Sequence, residues 1–348
     1  MDAKDEEWKT ITEERCEQVL EVDPFDDHAR FRLSQILIAE DRDLTVAERL
    51  VKSIMNKDKG RKKEGDNDKD EDKEHKSQKF MPAECYELLG DIEYSEKNKR
   101  YTKAVEYYHR SNELKANNVN IYIKLGKAFE KLREFDEAIA FLKKALRRDK
   151  NNFLAHYRLA LCYIRNNMRQ EGIESLKKAH AVNPSDVETM LKLSEIYLRD
   201  DSKLVEAEQM TKKILAIGEQ NTLAEATLNL GRVLEKQGKN DEALVQFKKG
   251  LELSQTKTQD KQDAQKQLRQ AHFHIGCQYE RIKEFKNSIY HFKQCLLYDQ
   301  SHFGACIHLA TQLANSGDFD KAQKYFKHCI KLNPTSVPAH FGLGKILH

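Results

Sequence analysis

Proline and glycine are scarce in this sequence, which has 5 prolines and 14 glycines among 348 residues. A chain built of many short strands needs such residues for its tight turns, so β structure is not expected. The sequence also has no run of about eighteen apolar residues that could cross a bilayer, so membrane insertion is not expected. Its formal net charge is only +3, which by itself indicates neither nucleic-acid nor membrane binding. The abundant charged residues, 34%, are typical of amphipathic helices with a large surface in water.

The cysteines give no sign of a disulfide framework. There are 7 of them, an odd number without regular spacing, in a chain much longer than a disulfide-stapled domain. We therefore expect a reducing compartment and a cytoplasmic protein.

Motifs for catalysis or metal binding are also missing. The sequence has neither a glycine-rich phosphate loop nor a Gly-x-Ser-x-Gly elbow. Aspartates alternate within residues 66–70 as in a calcium loop, but Glu71 occupies the place where that loop needs glycine. His274 and Cys277 could share one helix face, but no second pair of ligands lies near them in the sequence. We expect no enzymatic activity, no metal and no cofactor.

A motif of leucine or isoleucine followed by a small residue recurs along the chain. Its spacing is 34 residues within 125–193 and again within 275–343. We call its first residue the leading residue; these are Leu33, Leu89, Leu125, Leu159, Leu193, Leu230, Ile275, Leu309 and Leu343. A fixed period of this length indicates one supersecondary unit copied many times.

Each copy continues with a second apolar pattern. A large apolar residue follows the leading residue by four, as at Phe129 and Tyr163, and therefore lies on the same helix face. About nine residues later a small residue, such as Ala138 or Gly172, opens a second stripe with a period near 3.6. Turns such as Asn183-Pro184 end the unit. Two helices per unit are predicted.

This order of residues resembles the tetratricopeptide family. Residues 318–334 come close to its consensus, with Phe319, Ala322, Phe326 and Pro334 in the family's places. The resemblance covers nearly the whole chain and implies an all-α fold: a right-handed superhelix of about eight complete helix pairs plus a half repeat at each end. The complete pairs are expected to begin near Asp27, Ala83, Val119, Phe153, Val187, Ala224, Arg269 and Phe303. Glu93 and Thr211 depart from the family pattern.

The predicted organisation has three parts. Residues 1–56 hold an N-terminal half repeat and the first complete repeat, and residues 57–79 form a charged insertion that is predicted to be a disordered loop. Residues 80–348 form a continuous array, with units near 83, 119, 153, 187, 224, 269, 303 and 337. An insertion at 254–269 is expected to extend the flanking helices. The half repeats suggest a piece of a longer array.

The resemblance also implies which residues face the concave groove. The residue two places before each leading residue should form an apolar stripe there: Phe31, Ile123, Tyr157, Leu191, Leu228, Phe273, Ile307 and Phe341. Six places after the leading residue a basic row recurs, and an adjacent row adds two more cations: Lys131, Arg165, Arg199, Lys236 and Arg281, with Lys127 and Arg232. Two interpretations stay open, a ladder that grips an acidic partner and compensation of the negative end of the helix dipole.

The leading hypothesis is a protein-protein interaction scaffold or adaptor in a multi-protein complex. Its partner would be an extended or helical protein segment with acidic residues around apolar anchors, not a nucleic acid. One alternative is the substrate-guiding region of a larger enzyme similar to O-linked N-acetylglucosamine transferase, but of six residues that precede the leading residues from 125 to 309, only Asn229 is an asparagine. Another is a subunit of a ciliary, basal-body, cytoskeletal or cell-cycle assembly. A co-chaperone clamp is not expected, because Ile123 and Tyr157 stand where it needs lysine or arginine.

Overall fold

The computed structural model describes residues 3–61, 82–256 and 261–347, and within them the chain forms α-helices and one short 3-10 helix without any strand. The all-α prediction is confirmed. The α-helices are α1 Ala3–Val22, α2 Asp27–Ala39, α3 Leu44–Arg61, α4 Pro82–Tyr94, α5 Tyr101–Leu114, α6 Val119–Leu132, α7 Phe135–Arg148, α8 Phe153–Arg165, α9 Arg169–Val182, α10 Val187–Tyr197, α11 Leu204–Ile217, α12 Gln220–Lys236, α13 Asn240–Thr256, α14 Lys261–Arg281, α15 Phe285–Tyr298, α16 Phe303–Asn315, α17 Phe319–Leu332 and α18 Val337–Leu347.

The helices divide between two compact units, Met1–Asn183 and Pro184–His348. In the first unit α2 packs on α3, α4 on α5, α6 on α7 and α8 on α9; in the second, α10 packs on α11, α12 on α13, α14 on α15 and α16 on α17. These are the expected eight helix pairs in the described part of the chain. First helices of successive pairs also meet, as α6 meets α8 and α12 meets α14. We call the surface that they form within one unit the first-helix face.

Short polar side chains fix where the first helices begin. Asn118 caps α6, Asn152 caps α8 and Asp186 caps α10, each by accepting a hydrogen bond from a backbone N–H of the first turn. His302 does the same for α16 with its Nδ1. These caps place the starts of four first helices at the expected residues.

The turn inside six of the eight pairs has a left-handed residue at one recurring place. Eight residues after the leading residue, φ is positive at Asp41, Arg133, Asn167, Gly238, Lys283 and Gly317, between 50° and 82°. Glycine adopts this conformation without cost, whereas a side chain with a Cβ is strained there. Arg133 and Lys283 therefore form the same turn at a local cost in free energy.

Small residues let the two helices of a pair approach. A Cβ added to Gly126 would lie 2.7 Å from Leu142 Cγ, and one added to Gly231 would lie 2.7 Å from Phe247 Cδ1. Cys295 and Cys329 occupy the small-residue place of α15 and α17 and are fully buried. The core of each unit is thus the seam within and between helix pairs.

Three local predictions need comment. α3 continues to Arg61, so residues 57–61 of the predicted disordered loop are helical, because lysine, aspartate and arginine are compatible with helix; residues 62–79 lie outside the described residues. Residues 254–256 lie in α13 and 261–269 in α14, which begins eight residues before the expected Arg269. Thr211 is fully buried and directs its hydroxyl to the carbonyl of Ala207, 3.0 Å away.

Candidate protein-binding face

The predicted apolar stripe lies mostly in the core. Five of its eight members are between 1% and 8% exposed: Phe31, Ile123, Tyr157, Leu191 and Leu228. Leu228, for example, packs on its own second helix, where a Cβ added to Gly250 would meet Leu228 Cδ2 at 2.6 Å. The expectation that these five side chains point into an open groove is therefore corrected. They stabilise the helix seam and offer little area to a partner.

The other three members of the stripe lie in the second unit. Phe273 and Ile307 are partly buried, and Phe341 is 74% exposed. The Phe273 ring packs against the imidazole of His302, with centroids 4.7 Å apart. Accessible apolar area from this row is thus confined to the last helices of the described chain.

Three members of the basic row are held by polar groups of the preceding helix pair. Arg165 Nη1 lies 2.5 Å from an Oε1 of Glu130, and Lys236 Nζ lies 2.6 Å from Asp201 Oδ1. Arg281 donates to Asn240 at 2.7 Å and lies 3.7 Å from a carboxylate oxygen of Glu235. These three side chains serve junctions inside the array before any partner arrives.

At three junctions between successive helix pairs, a glutamate five residues after the leading residue contacts the next pair. Glu130, only 4% exposed in its side chain, contacts Arg158 and Arg165 of the next pair at 3.4 and 2.5 Å. Glu235 accepts from Gln278 at 2.7 Å and lies 3.0 Å from His274 Nδ1. Glu280 repeats this arrangement with Gln312 at 2.5 Å and His308 at 2.8 Å. The residue before the leading residue thus pairs with an upstream carboxylate.

At the junction between α4 and α6, the cation again directly precedes the leading residue, but its acidic partners lie at other places in the preceding repeat. Lys124 Nζ lies 2.7 Å from Glu87 and 2.6 Å from Asp91, and the Tyr108 hydroxyl donates to Asp91 at 2.8 Å. Burial alone would lower the pKa of Lys124, but the two carboxylates outweigh it and hold that pKa above its ordinary value. Lys124 is consequently a structural cation.

Neighbouring side chains also set the ionisation of these glutamates. Burial alone would raise the pKa of Glu235, but the hydrogen bond and charge of His274, with Arg281, bring it below the ordinary value. The pKa of Glu280 is lowered in the same way by His308, again against burial. Both carboxylates remain ionised at neutral pH.

Four cations of the predicted rows are under-compensated, which means that no described carboxylate forms an ion pair with them. Lys127, Lys131 and Arg199 form no ion pair with any residue whose side chain the structure describes. Partial burial, together with the charges of Arg158 and Lys124, lowers the pKa of Lys127. These residues occur in both units.

Arg232 is the fourth. It donates to Asn229 Oδ1 at 3.2 Å, and burial followed by the charge of Arg199 lowers its pKa, against the pull of nearby glutamates. Asn229 is 2% exposed, and its amide nitrogen has no hydrogen-bond partner among the described residues. A buried donor without an acceptor is costly, and an incoming acceptor would relieve it. Arg199 and Arg232 lie close together in the second unit, and neither forms an ion pair with a described residue.

The described histidines of α14 and α15 pack mainly against aromatic rings. Among the described residues no group of three or more His, Cys, Asp or Glu side chains is placed to hold a metal ion. His272 and His291 face each other with their Nδ1 atoms 2.9 Å apart, and burial lowers the pKa of each to about 4. Burial raises the pKa of the Cys277 thiol to about 12. Neutral imidazoles packed among aromatic rings are core residues.

No described helix has the length and apolar character that a bilayer crossing requires.

Three models of the tetratricopeptide repeat match the sequence, at residues 131–174, 223–271 and 303–336. No curated protein matches the chain significantly.

Solved structures show the same fold at low identity. A chain of the APC/C hetero-tetramer Cut9-Hcn1 is 15% identical with a TM-score of 0.59; the similarity covers 92% of this chain and 55%, about half, of that chain. Pseudomonas aeruginosa PilF is 19% identical, TM-score 0.53, with 65% of this chain and 97% of that one covered. A repeat protein from Parabacteroides merdae is 15% identical, TM-score 0.54, with 76% and 99% covered. At these identities the similarity concerns the fold alone.

Proposed function

We propose, from the premise that the chain is a tetratricopeptide-repeat protein, that it is a non-enzymatic scaffold whose first-helix face binds an acidic segment of a protein partner. Repeats of this family are typically interaction modules, which supports a binding role in general. The acidic character of the partner is inferred from the under-compensated cations of both units, and that observation carries the proposal.

The energetic reason lies in partial burial. Lys127 has lost part of its hydration without gaining an ion pair with a described carboxylate, and the hydrogen bond of Arg232 goes to a neutral amide. A partner carboxylate would supply a charge-assisted hydrogen bond to each, with about 1.5 to 3 kcal/mol expected for a bond to a charged group. The paired cations Arg165, Lys236 and Arg281 would contribute less, because binding would have to compete with their present partners.

The distribution of apolar area favours a polar contact over most of this face. Within the predicted apolar stripe, only Phe273, Ile307 and Phe341 retain substantial exposed surface, so an apolar anchor that uses this stripe would bind in the second unit. A contact of this kind is sensitive to salt, because exposed charges are screened. Membership of a multi-protein complex in the cytoplasm is part of the proposal.

The test uses a fluorescent glutamate-rich peptide and the full chain, with affinity measured by anisotropy at low and at physiological salt. Lys127→Glu combined with Lys131→Glu should weaken binding about tenfold, and Arg199→Glu should weaken it similarly. Lys177→Glu, which reverses an exposed lysine on the second helix α9, is the matched control and should leave affinity unchanged.

Circular dichroism of each variant checks that the helices are retained. Equal weakening by Lys177→Glu would show that the peptide senses only net charge. Unchanged affinity in the Lys127, Lys131 and Arg199 variants would refute the first-helix face as the binding surface.

A further inference from the structure

A cleft of about 470 Å³ lies in the second unit, between the second helices α15 and α17. It is lined by Lys293, Gln294, Leu296, Leu297, Gln300, Tyr325 and His328. His328 Nε2 lies 3.0 Å from the Gln300 carbonyl oxygen, which ties the two helices together at one end. We call this surface the α15–α17 cleft. None of its lining residues belongs to the first helices.

Several large apolar side chains that line the cleft are exposed to solvent. Leu297 is 72% exposed, and Leu296 and Tyr325 are partly exposed. Tyr290, also exposed, precedes Leu297 by two helical turns and so lies on the same side of α15. Large apolar side chains grouped in a concave surface are typical of a protein-binding site.

The surrounding charge is strongly one-sided. Together α15 and α17 contain six lysines and a single acidic residue, Asp320. Of these lysines only Lys321 has an ion pair among the described side chains, with Asp318 at 2.6 Å. The second helices α11 and α13 of the same unit differ, because α11 has two lysines and two glutamates, and α13 has two lysines and three acidic residues. The positive field is local to α15 and α17.

From this combination we propose that the α15–α17 cleft is a second docking site, occupied by a protein segment in which carboxylates flank an apolar side chain. The apolar side chain enters between Leu297 and Tyr325. The carboxylates reach Lys293 at the rim and Lys324, which lies one helical turn before His328 on the cleft side of α17. This site is separate from the first-helix face, so one chain could hold two partners at once.

The shape favours a protein segment over an anionic membrane. A bilayer receives apolar side chains that project from a convex helix surface. Here Leu296 and Tyr325 line a cavity between two helices and are only partly exposed, so a partner has to project a side chain into it. A volume of about 470 Å³ is ample for an aromatic ring and part of the backbone that carries it.

The experiment uses the full chain and two synthetic peptides, one with glutamates around a central photoreactive phenylalanine and one with serine in that central place. Anisotropy gives the affinities, and mass spectrometry locates the cross-link of the photoreactive peptide. We expect cross-links within residues 293–300 or 325–328. Lys293→Glu with Lys324→Glu should weaken binding about tenfold, and Leu297→Ser should reduce the affinity of the phenylalanine peptide to that of the serine peptide.

Matched controls come from α13, where Val245 is an exposed apolar residue and Lys249 an exposed lysine. Val245→Ser and Lys249→Glu should change affinity by less than about twofold, because α13 has balanced charge and exposed substitutions there disturb little. Cross-links confined to first helices, or equal effects of cleft and control variants, would overturn the proposal. Leu297-dependent binding to vesicles of phosphatidylserine and phosphatidylcholine, without peptide binding at the cleft, would also overturn it, in favour of a membrane. The first-helix proposal would stand in each of these cases.

Discussion

Reversing Arg165 should destabilise the first unit far more than reversing Lys131, although both residues occupy the same place in successive repeats. Arg165 contacts Glu130, whose side chain is 4% exposed, whereas Lys131 has no ion pair among the described side chains. Breaking a fully buried pair costs about 3 to 5 kcal/mol. Arg165 itself is 53% exposed and Arg158 still lies 3.4 Å from Glu130, so we expect about 1 to 3 kcal/mol for Arg165→Glu. For Lys131→Glu we expect a loss of only about 0.3 to 1 kcal/mol, because the substitution removes a favourable interaction with the helix dipole.

The assay is urea denaturation followed by circular dichroism, with hydrogen exchange of α6 and α8 as a local readout, because repeat arrays need not unfold in one step. A double-mutant cycle isolates the contact: in a Glu130→Gln background, Arg165→Glu should cost much less than in the wild type. Equal destabilisation by Arg165→Glu and Lys131→Glu, or the same cost in both backgrounds, would refute the assignment of Arg165 to the junction.

Three further outcomes are expected. The stabilising pair of Glu235 is fully present above its ordinary pKa of 4.5 and is lost as pH falls through the lowered folded pKa, so acid should lower the melting temperature of wild type more than that of Glu235→Gln. Arg133→Gly should stabilise the chain by about 0.5 to 1 kcal/mol in denaturation, because it removes left-handed strain; a loss of stability would contradict that cause. Gly231→Leu should cost about 1 to 3 kcal/mol or more, since its Cβ alone would lie 2.7 Å from Phe247; an unchanged melt would show that the seam can open there.

The sequence predicted well what repeats along one helix. The spacing of Leu125, Leu159 and Leu193 predicts helix pairs, and the first helices do begin at Val119, Phe153 and Val187. Such spacing fixes which residues share a face, because the helix period is constant. It does not fix the angle at which that face meets the next helix.

That angle explains the misplaced stripe. Ile123 and Leu228 lie on the apolar side of their helices as expected, but neighbouring helices cover that side almost completely. The role of Glu130 was missed for a related reason, since its partners lie 28 and 35 residues away. A signal was present, because glutamate also recurs at the same place as Glu235 and Glu280. Recognising it requires the register between successive first helices, which a single sequence does not supply.

The glutamate junctions also determine which repeats could replace one another. Glu235 and Glu280 meet the same two residue types at equivalent places, a histidine and a glutamine. Loss of the repeat made of α14 and α15 would bring Glu235 to His308 and Gln312, and its duplication would bring Glu280 to a second His274 and Gln278, so both changes give matching junctions. Glu130 instead meets two arginines, Arg158 and Arg165. The repeat that follows Glu130 therefore cannot be exchanged for one of the later repeats without losing this junction. The array tolerates the loss or gain of a repeat at the Glu235 and Glu280 junctions, but not at the Glu130 junction.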